Sequence, residues 1–432
     1  MKKALAGTAA VDITPPIGVR MQGYASRDHG AEGIHDRLFS TALVLDDGEV
    51  RVALVTCDLV GLGIESVRAL RETAADLSRI DPKSIMVCCS HTHGGPATGQ
   101  RCYVDEESEY LNLVRRQIAS SIALAAGRLR ECKLWVGIGS SDIGINRREP
   151  RDGGIVLGEN PEGEVDHELV VLRIDTIGGR PEALIYNYPC HTATLKGDNY
   201  LITADYVNYS RRTVEGGLGI PQGSSLFVNG AAGDINPSPR GTFDLARMLG
   251  TALAADTLRA YAKAQPIDTA LSYLNRAIEL PLSRPPSPTE LRSELAELQV
   301  KYESQKTRNP SLAARITWHR EMLRRTEDDS LKDSLAAEIQ ALRIGPLAIL
   351  SLPGEVFAGI GKRIKEDSPF SYNMVAGYAN GNVGYIPTPG AFEEGGYEPN
   401  SHFYRSEQAF RPDVGDVLVS ESGALLRELK GD

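Results

Sequence analysis

The chain has 432 residues, a formal net charge of −10 at pH 7, and 41% hydrophobic and 24% charged residues. This acidic balance argues against nucleic acid or an anionic membrane surface as a partner, because both repel a negatively charged protein. No run of about 18 apolar residues is present, so no membrane insertion is expected. The scattered cysteines and the lack of an apolar signal sequence favour a cytoplasmic protein.

The first part of the chain alternates predicted strands with predicted helices. Strands are predicted at 40–45 and 50–57, joined by an Asp-Asp-Gly turn, and helices follow over 63–79 and 105–128. Four further strands are predicted at 133–139, 168–175, 182–189 and 225–230. A helix is predicted after them at 242–263. The alternation predicts an α/β fold in which mixed sheets are flanked by helices and ligand-binding loops lie at strand ends.

The pattern changes at about 285–330. A proline-rich break precedes two strongly charged helical segments with a short joint between them, which predicts a helical hairpin inserted at the surface. Strands resume at 337–344 and 347–352, separated by a Gly-Pro turn. Because no internal repeat or low-complexity segment interrupts the chain, we expect a single domain over 1–432.

Two histidines follow the apolar strand predicted at 84–89. His91 and His93 lie at positions i and i+2, directly before a Gly-Gly-Pro loop. Side chains two positions apart on an extended backbone point to the same side, so both imidazoles are expected to face one cleft. Imidazole is the commonest metal ligand in proteins. The alternative interpretation is a solvated histidine pair on a loop.

Other polar side chains also lie where apolar strands end. His191 follows the strand predicted at 182–189, and Glu355 follows the strand that ends at 352. Tyr385 and Tyr397 lie in loops rich in glycine, twelve positions apart. Taken alone, His191 is more often a buried core residue with satisfied hydrogen bonds, and Glu355 is more often a cap or a surface residue.

Together these motifs resemble the neutral ceramidase family. The resemblance extends in order through most of the chain, over these segments: 11–16, 21–25, 33–36, 56–61, 91–93, 144–147, His191, 233–237, 353–355 and the pair Tyr385 and Tyr397. The resemblance implies one Zn²⁺ cofactor, held by four ligands: His91, His191, Glu355 and Tyr397. Two nitrogen and two oxygen donors suit zinc, with water at a further open position.

The resemblance also implies roles beside the metal. His93 would assist the reacting group, while Arg147 and Tyr385 would hold the substrate carbonyl or the developing oxyanion. Asp12 and Asp58 are candidates to orient the histidines, although ordinary turn or capping roles explain them equally well.

Asn236 departs from the family pattern, because a serine associated with catalysis is expected at its position. An amide cannot act as an alkoxide nucleophile, but it can hydrogen-bond a substrate carbonyl. A mechanism based on water survives this change, and one that depends on the serine does not. Ser238 lies two residues further on, with nothing in the sequence to indicate that it substitutes.

About 35 residues follow Tyr397, so the resemblance implies a short, bacterial-type member without the family's carboxy-terminal region. Membrane sphingolipid is therefore not the expected substrate. The leading interpretation is a zinc-dependent hydrolase that acts on an amide of a small soluble molecule. The alternatives are an ester or lactone hydrolase, a metal-dependent lyase or isomerase acting on a sugar-like or hydroxy-acid substrate, and a non-catalytic zinc-stabilised binding protein. The sequence leaves the oligomeric state open.

Overall fold

A computed structural model describes residues 4–99, 101–305 and 309–431. The strands are β1 (Ala4–Asp12), β2 (Gly33–Ile34), β3 (Phe39–Asp46), β4 (Arg51–Cys57), β5 (Ile85–Cys89), β6 (Arg130–Ser140), β7 (Gly144–Arg151), β8 (Gly154–Asn160), β9 (Glu168–Thr176), β10 (Pro181–Tyr188), β11 (Leu201–Ile202), β12 (Ser225–Asn229), β13 (Ile235–Pro237), β14 (Gln265–Pro266), β15 (Leu271–Pro281), β16 (Ser334–Ile344), β17 (Leu347–Ser351), β18 (Glu355–Val356), β19 (Tyr372–Ala376) and β20 (Tyr385–Ile386).

The α-helices are α1 (Ile64–Ser78), α2 (Ser108–Ala126), α3 (Tyr206–Leu218), α4 (Phe243–Ala262), α5 (Pro288–Glu303), α6 (Pro310–Glu327), α7 (Ala358–Glu366), α8 (Pro389–Glu394), α9 (His402–Arg405) and α10 (Val414–Lys430). None of the helices in the described ranges is both long and apolar enough to cross a membrane.

A large mixed sheet confirms the predicted α/β class. Its strand order is β12-β10-β9-β6-β1-β3-β4-β5, with β14 paired to β6. The outer pairs β10–β12 and β4–β5 are parallel, and the pairs between them are antiparallel. The predicted hairpin joins β3 to β4, with Asp46 opposite Arg51. Because strands in a parallel pair end at the same edge of the sheet, β4 and β5 deliver their following loops to one place.

The core has four layers: helices, the large sheet, a second sheet and further helices. Ala42 and Val44 of β3 pack among residues of α1 to α4, whereas the alternate residues Leu43 and Leu45 pack against the second sheet. This alternation is the period of two expected for a strand buried on both faces. The second sheet, ordered β15-β16-β17-β19, packs its other face against α7 and α10.

The predicted helical hairpin is present as α5 and α6. Ser287 begins α5 with a capping box, in which its hydroxyl accepts from the backbone of Glu290 and the Glu290 carboxylate accepts from the backbone of Ser287. The hairpin has a small apolar core of its own around Leu291, Trp318 and Met322. Trp318 also donates through Nε1 to a backbone carbonyl near α9, at 2.7 Å, which attaches the hairpin to the main body. Residues 306–308 of the joint lie outside the described residues.

Strands from both sheets end close together. The backbone N–H of Gly377, just after β19, donates to the carbonyl of Asn229 at the end of β12. Ala379 forms an isolated bridge with Cys88 of β5. The loops that follow β5, β10, β12, β17 and β19 therefore meet at one edge of the two packed sheets, where ligand sites of α/β folds commonly lie.

Candidate active site

The loop after β5 turns sharply at His91. The φ of His91 is +64°, in the left-handed region that non-glycine residues rarely adopt. The premise that His91 and His93 lie on an extended backbone is therefore wrong. The turn nevertheless brings both imidazoles to one cleft, as predicted, with their Nε2 atoms 3.3 Å apart. Strain of this kind persists where the surrounding structure fixes the conformation, and it is common at functional sites.

Backbone carbonyls fix the tautomers of two histidines. His91 Nδ1 donates to the carbonyl of Val60 at 2.6 Å, and His191 Nδ1 donates to the carbonyl of Ala232 at 2.7 Å. With the proton on Nδ1, each neutral imidazole presents an unprotonated Nε2 to the cleft. This is the arrangement in which protein histidines bind metal ions.

Glu355 faces both of these nitrogens. Its Oε2 lies 3.2 Å from His91 Nε2 and 3.5 Å from His191 Nε2, and this buried oxygen accepts no hydrogen bond. A buried carboxylate oxygen that accepts no hydrogen bond and faces two ring nitrogens is unfavourable unless a cation lies there. The residues therefore fit a metal ion, and their donor set of two imidazoles and one carboxylate suits zinc.

Electrostatics keep these groups in the forms that bind a metal. Burial, followed by the nearby charge of Arg147, lowers the pKa of His191 to about 3. Burial also lowers the pKa of His93 well below its ordinary value. Burial raises the pKa of Glu355, but the two adjacent histidines outweigh this effect and hold the pKa well below its usual range. At neutral pH His93 and His191 are thus neutral imidazoles, and Glu355 is an ionised carboxylate.

His93 completes a cluster of three histidines whose ligand atoms lie within 4.8 Å of one another. It differs from the other two because its Nδ1 is buried and has no hydrogen-bond partner. Of its two ring nitrogens only Nε2 has a partner, His91 Nε2, so no protein group holds a proton on Nδ1. His93 is also less buried than His91 and His191, and it lines the cavity in front of the cluster.

Arg147 connects most of the predicted catalytic residues. Its Nη2 donates to the hydroxyl of Tyr385 at 3.0 Å, and its Nη1 lies 3.1 Å from His191 Nε2 and 3.4 Å from Asn236 Oδ1. Its Nε donates to Glu398 at 2.9 Å. The sequence prediction missed Glu398, whose side chain is fully buried and holds this arginine in place. The only sequence signal was its position directly after Tyr397.

The two tyrosines occupy different places. Tyr385 is buried and lies on β20, directly opposite Glu355 in the parallel β18–β20 pair. Side chains at such paired positions point to the same face. Tyr397 is 37% exposed, and its ring centroid lies 5.6 Å from that of Tyr385. Of the two phenols, Tyr385 is therefore attached more directly to the residues around Glu355.

Asn236 lies at the position where the family pattern has a serine, and Ser238, two residues further on, is the candidate to replace that serine. Asn236 is buried on β13 and lines the cavity, with its Oδ1 turned towards Arg147. The Ser238 hydroxyl instead donates to Glu159 at 2.8 Å. Because its hydroxyl is directed to that surface carboxylate, Ser238 does not take the place of the serine.

Asp12 and Asp58 bind arginines, backbone groups and a hydroxyl, and no histidine, so of the two roles left open the structure supports the ordinary structural one. Asp58 accepts from Arg211 at 2.6 Å and Asp12 accepts from Arg37 at 2.6 Å. Both carboxylates also satisfy nearby backbone or hydroxyl groups, so they stabilise the loops that frame the site. Backbone carbonyls perform the orienting role instead, and no residue-type pattern marks a carbonyl in a sequence.

A cavity of about 560 Å³ opens in front of the cluster. His93, Arg147, Asn236, Tyr385 and Tyr397 all line it. The lining combines aromatic rings with charged groups and also includes Tyr24, Tyr103, Glu159, Lys196, Arg240 and Tyr404. The volume falls in the range of small-molecule sites, and the convergent polar groups are those expected of an enzyme pocket.

Comparison with known proteins gives a consistent result. The model of the neutral/alkaline non-lysosomal ceramidase N-terminal family matches residues 5–246. Neutral ceramidase from Pseudomonas aeruginosa is 26% identical over 251 residues, an alignment that covers 54% of this chain and 37% of that protein. Neutral ceramidase from Mycobacterium tuberculosis is 23% identical, with 92% of this chain and 74% of that protein covered. The match thus spans little more than a third of the Pseudomonas protein.

Solved structures agree over the whole chain. A ceramidase complexed with C2 superposes with a TM-score of 0.77 at 19% identity, covering 100% of this chain and 76% of that one. The crystal structure of neutral ceramidase from Pseudomonas aeruginosa gives a TM-score of 0.75 at 21% identity, covering 100% of this chain and 75% of that one. These superpositions establish the shared fold, and the family model covers more than half of the sequence. The chain belongs to the neutral/alkaline non-lysosomal ceramidase family.

Proposed function

We propose that this protein is a zinc-dependent hydrolase that cleaves an amide bond. The observation that carries the proposal is the buried Oε2 of Glu355, which accepts no hydrogen bond and faces the unprotonated Nε2 atoms of His91 and His191. Membership of a family whose curated members are named neutral ceramidases supports an amide as the scissile bond.

His91, His191 and Glu355 would hold the ion. A zinc ion bound there would acidify water and polarise the scissile carbonyl. For the fourth ligand, which the sequence resemblance assigned to Tyr397, we now favour Tyr385. It lies opposite Glu355 in the β18–β20 pair, and it is buried, whereas Tyr397 is open to the cavity. Tyr397 is then placed to contact the substrate.

His93 would move the proton. Its Nε2 points to the cluster, and no protein group binds its Nδ1, so a proton on this ring is not held on Nδ1. It can accept a proton from the attacking water and return one to the leaving amine nitrogen. General acid–base groups of this kind contribute about 10²–10⁴ in rate.

Arg147 and Asn236 would bind the carbonyl oxygen. The guanidinium is buried and already fixed by Glu398, so little reorganisation is needed when negative charge develops on the oxygen. The Asn236 amide lines the same cavity, and its Oδ1 is turned to Arg147, which leaves its NH₂ to donate to substrate. An asparagine in this position favours attack by water over formation of an acyl-enzyme.

Three alternatives keep the same ligand set. An ester or lactone would meet the same carbonyl-binding groups, and a lyase or isomerase would use the ion without net hydrolysis. A non-catalytic zinc protein would have no use for a cavity lined by His93, Arg147 and Asn236. Two substrate sizes remain. The names of the relatives favour ceramide, and the charged side chains of Glu159, Lys196 and Arg240 in the cavity lining favour a small soluble amide.

A substrate panel tests the proposal. Zinc-loaded protein should be assayed with short N-acyl amides, the matched esters, sugar lactones and ceramide, with product release followed by chromatography. We expect amides to be cleaved, with activity lost in Glu355→Gln. If only esters or lactones react, or if a product forms without uptake of water, the amide assignment is wrong.

A further inference from the structure

Arg405 is a half-buried arginine, and two of its buried donor atoms are unpaired. Its Nη2 donates to the backbone carbonyl of Asn382 at 2.7 Å, but its Nε and Nη1 are buried and have no hydrogen-bond partner. Burial lowers the pKa of this guanidinium to about 9. Buried polar groups are normally satisfied, so two unpaired donors on one side chain call for a partner that the protein itself does not supply.

No carboxylate of the described residues forms an ion pair with Arg405. Two carboxylates influence it electrostatically, and both are engaged elsewhere. Glu355 faces the histidine pair, and Glu407 binds Arg325 at 3.0 Å. The positive charge of Arg405 is therefore not neutralised locally, although buried charges in proteins are usually paired.

A small cavity of about 60 Å³ joins Arg405 to the candidate metal site. His91 and Glu355 line this cavity, and so do Arg405 and a second cation, Arg101. A volume of this size is far below the roughly 300–1,000 Å³ of pockets for drug-sized ligands. It suits the end of a small molecule rather than an acyl chain.

Gly384 allows the Arg405 side chain to lie close to the loop that holds Glu355. Its φ is +104°, and a Cβ at this position would lie 3.1 Å from Arg405 Cδ. The carbonyl of the same glycine accepts from the backbone N–H of Glu355 at 2.8 Å. Gly384 thus lies between Arg405 and the candidate metal ligand Glu355. A substituent of the substrate that extends from the scissile carbonyl would therefore meet the Arg405 guanidinium.

We propose that Arg405 binds a carboxylate of the substrate, so that this site selects amides with a carboxylate a few bonds from the scissile carbonyl. N-Acyl amino acids and monoamides of dicarboxylic acids belong to this class. The carboxylate would accept hydrogen bonds from Nε and Nη1, and charge-assisted bonds of this kind are about twice as strong as neutral ones. The proposal names the substrate class for the hydrolase activity proposed above and rests on it.

Binding of two inert probes tests the proposal without catalysis. Succinate and butyrate each offer one carboxylate to the zinc, but only succinate has a second carboxylate for Arg405. Titration calorimetry on the zinc-loaded full chain should show that succinate binds at least tenfold more tightly than butyrate. In Arg405→Gln the two probes should bind within threefold of each other. The matched control, Arg324→Gln, removes an exposed arginine that lines a neighbouring cavity and should keep the tenfold preference.

Equal affinities for succinate and butyrate in the wild-type protein would overturn the proposal, even if Arg405→Gln does not fold. An unchanged preference in folded Arg405→Gln would overturn it as well. Failure of the proposed hydrolase gives a different result. In that case no amide is cleaved, while selective succinate binding that depends on Arg405 persists and supports the carboxylate site.

Discussion

Arg147 and Glu398 form a buried ion pair between residues 251 positions apart in the chain, with Nε and Oε1 separated by 2.9 Å. Glu398 also accepts from Arg148 Nη1 at 2.7 Å, so one carboxylate pairs with two buried arginines. Removal of one member of a buried pair leaves an unpaired charge, which is a large energetic penalty. The pair fixes the guanidinium that faces the cavity, and it ties the last loops of the chain to β7.

Glu398→Ala should therefore destabilise the protein by about 3–5 kcal/mol and also lower turnover, because Arg147 loses its fixed position. Denaturant unfolding and kcat measure the two effects. Glu394→Ala is the matched control, since Glu394 pairs with the same Arg148 but is 56% exposed. Its effect should be below about 1 kcal/mol. Equal destabilisation by both substitutions would contradict the role assigned to Glu398.

His93→Ala should separate proton transfer from metal binding. We expect the variant to keep its zinc while kcat falls by about 10²–10⁴, the usual contribution of one acid–base group. Elemental analysis and steady-state kinetics on the same preparation provide the comparison. If the metal is lost together with activity, His93 is a ligand, and the unpartnered Nδ1 has no bearing on proton transfer.

The two tyrosines should respond differently. Tyr385→Phe should weaken zinc binding and lower kcat by about 10²–10³, because the hydroxyl beside Arg147 is lost. Tyr397→Phe should change zinc affinity by less than threefold and act mainly on KM, since its ring lies in the open cavity. Competition with a chromophoric chelator measures the affinities. Loss of zinc in Tyr397→Phe alone would restore the ligand set that the sequence resemblance implied.

The regular elements could be predicted where their residues carry a clear period. The β3–β4 hairpin, α1, α2 and α4 all lie within a few residues of their predicted positions. The hairpin of β7 and β8 was missed because its sequence, rich in charged residues and glycine, lacks an apolar alternation. The sheet-on-sheet packing also follows from contacts between distant strands, which a local pattern does not report.

The difference between local patterns and long-range contacts also explains what could be predicted of the site. His91, His191 and Glu355 follow apolar strands, but it was the family resemblance that implied them as ligands, and the structure brings all three together. The resemblance assigned the fourth ligand to Tyr397, whereas the preference for Tyr385 proposed above depends on the pairing of β18 with β20, which the sequence does not show. Glu398 and Arg405 act through partners or unpaired donors that only the folded chain reveals.

Substrate size gives a further prediction. A short soluble amide should exceed long-chain ceramide in kcat/KM by at least tenfold, because the lining of the main cavity includes the polar groups of Glu159, Lys196 and Arg240. Each buried methylene of a lipid contributes about 0.8 kcal/mol only where apolar surface receives it. Parallel assays with detergent present throughout make the comparison fair. A preference for ceramide over every short amide would show that the acyl chains bind elsewhere on the surface.

Zinc titration of metal-stripped protein tests the central claim most directly. Hydrolysis of an amide substrate should be absent after chelation and should rise in proportion to added zinc until about one equivalent is bound. His91→Ala and His191→Ala should neither retain zinc nor recover activity, because each removes an Nε2 donor that faces Glu355. Full activity in the stripped protein, or stoichiometric zinc binding in both variants, would contradict the account.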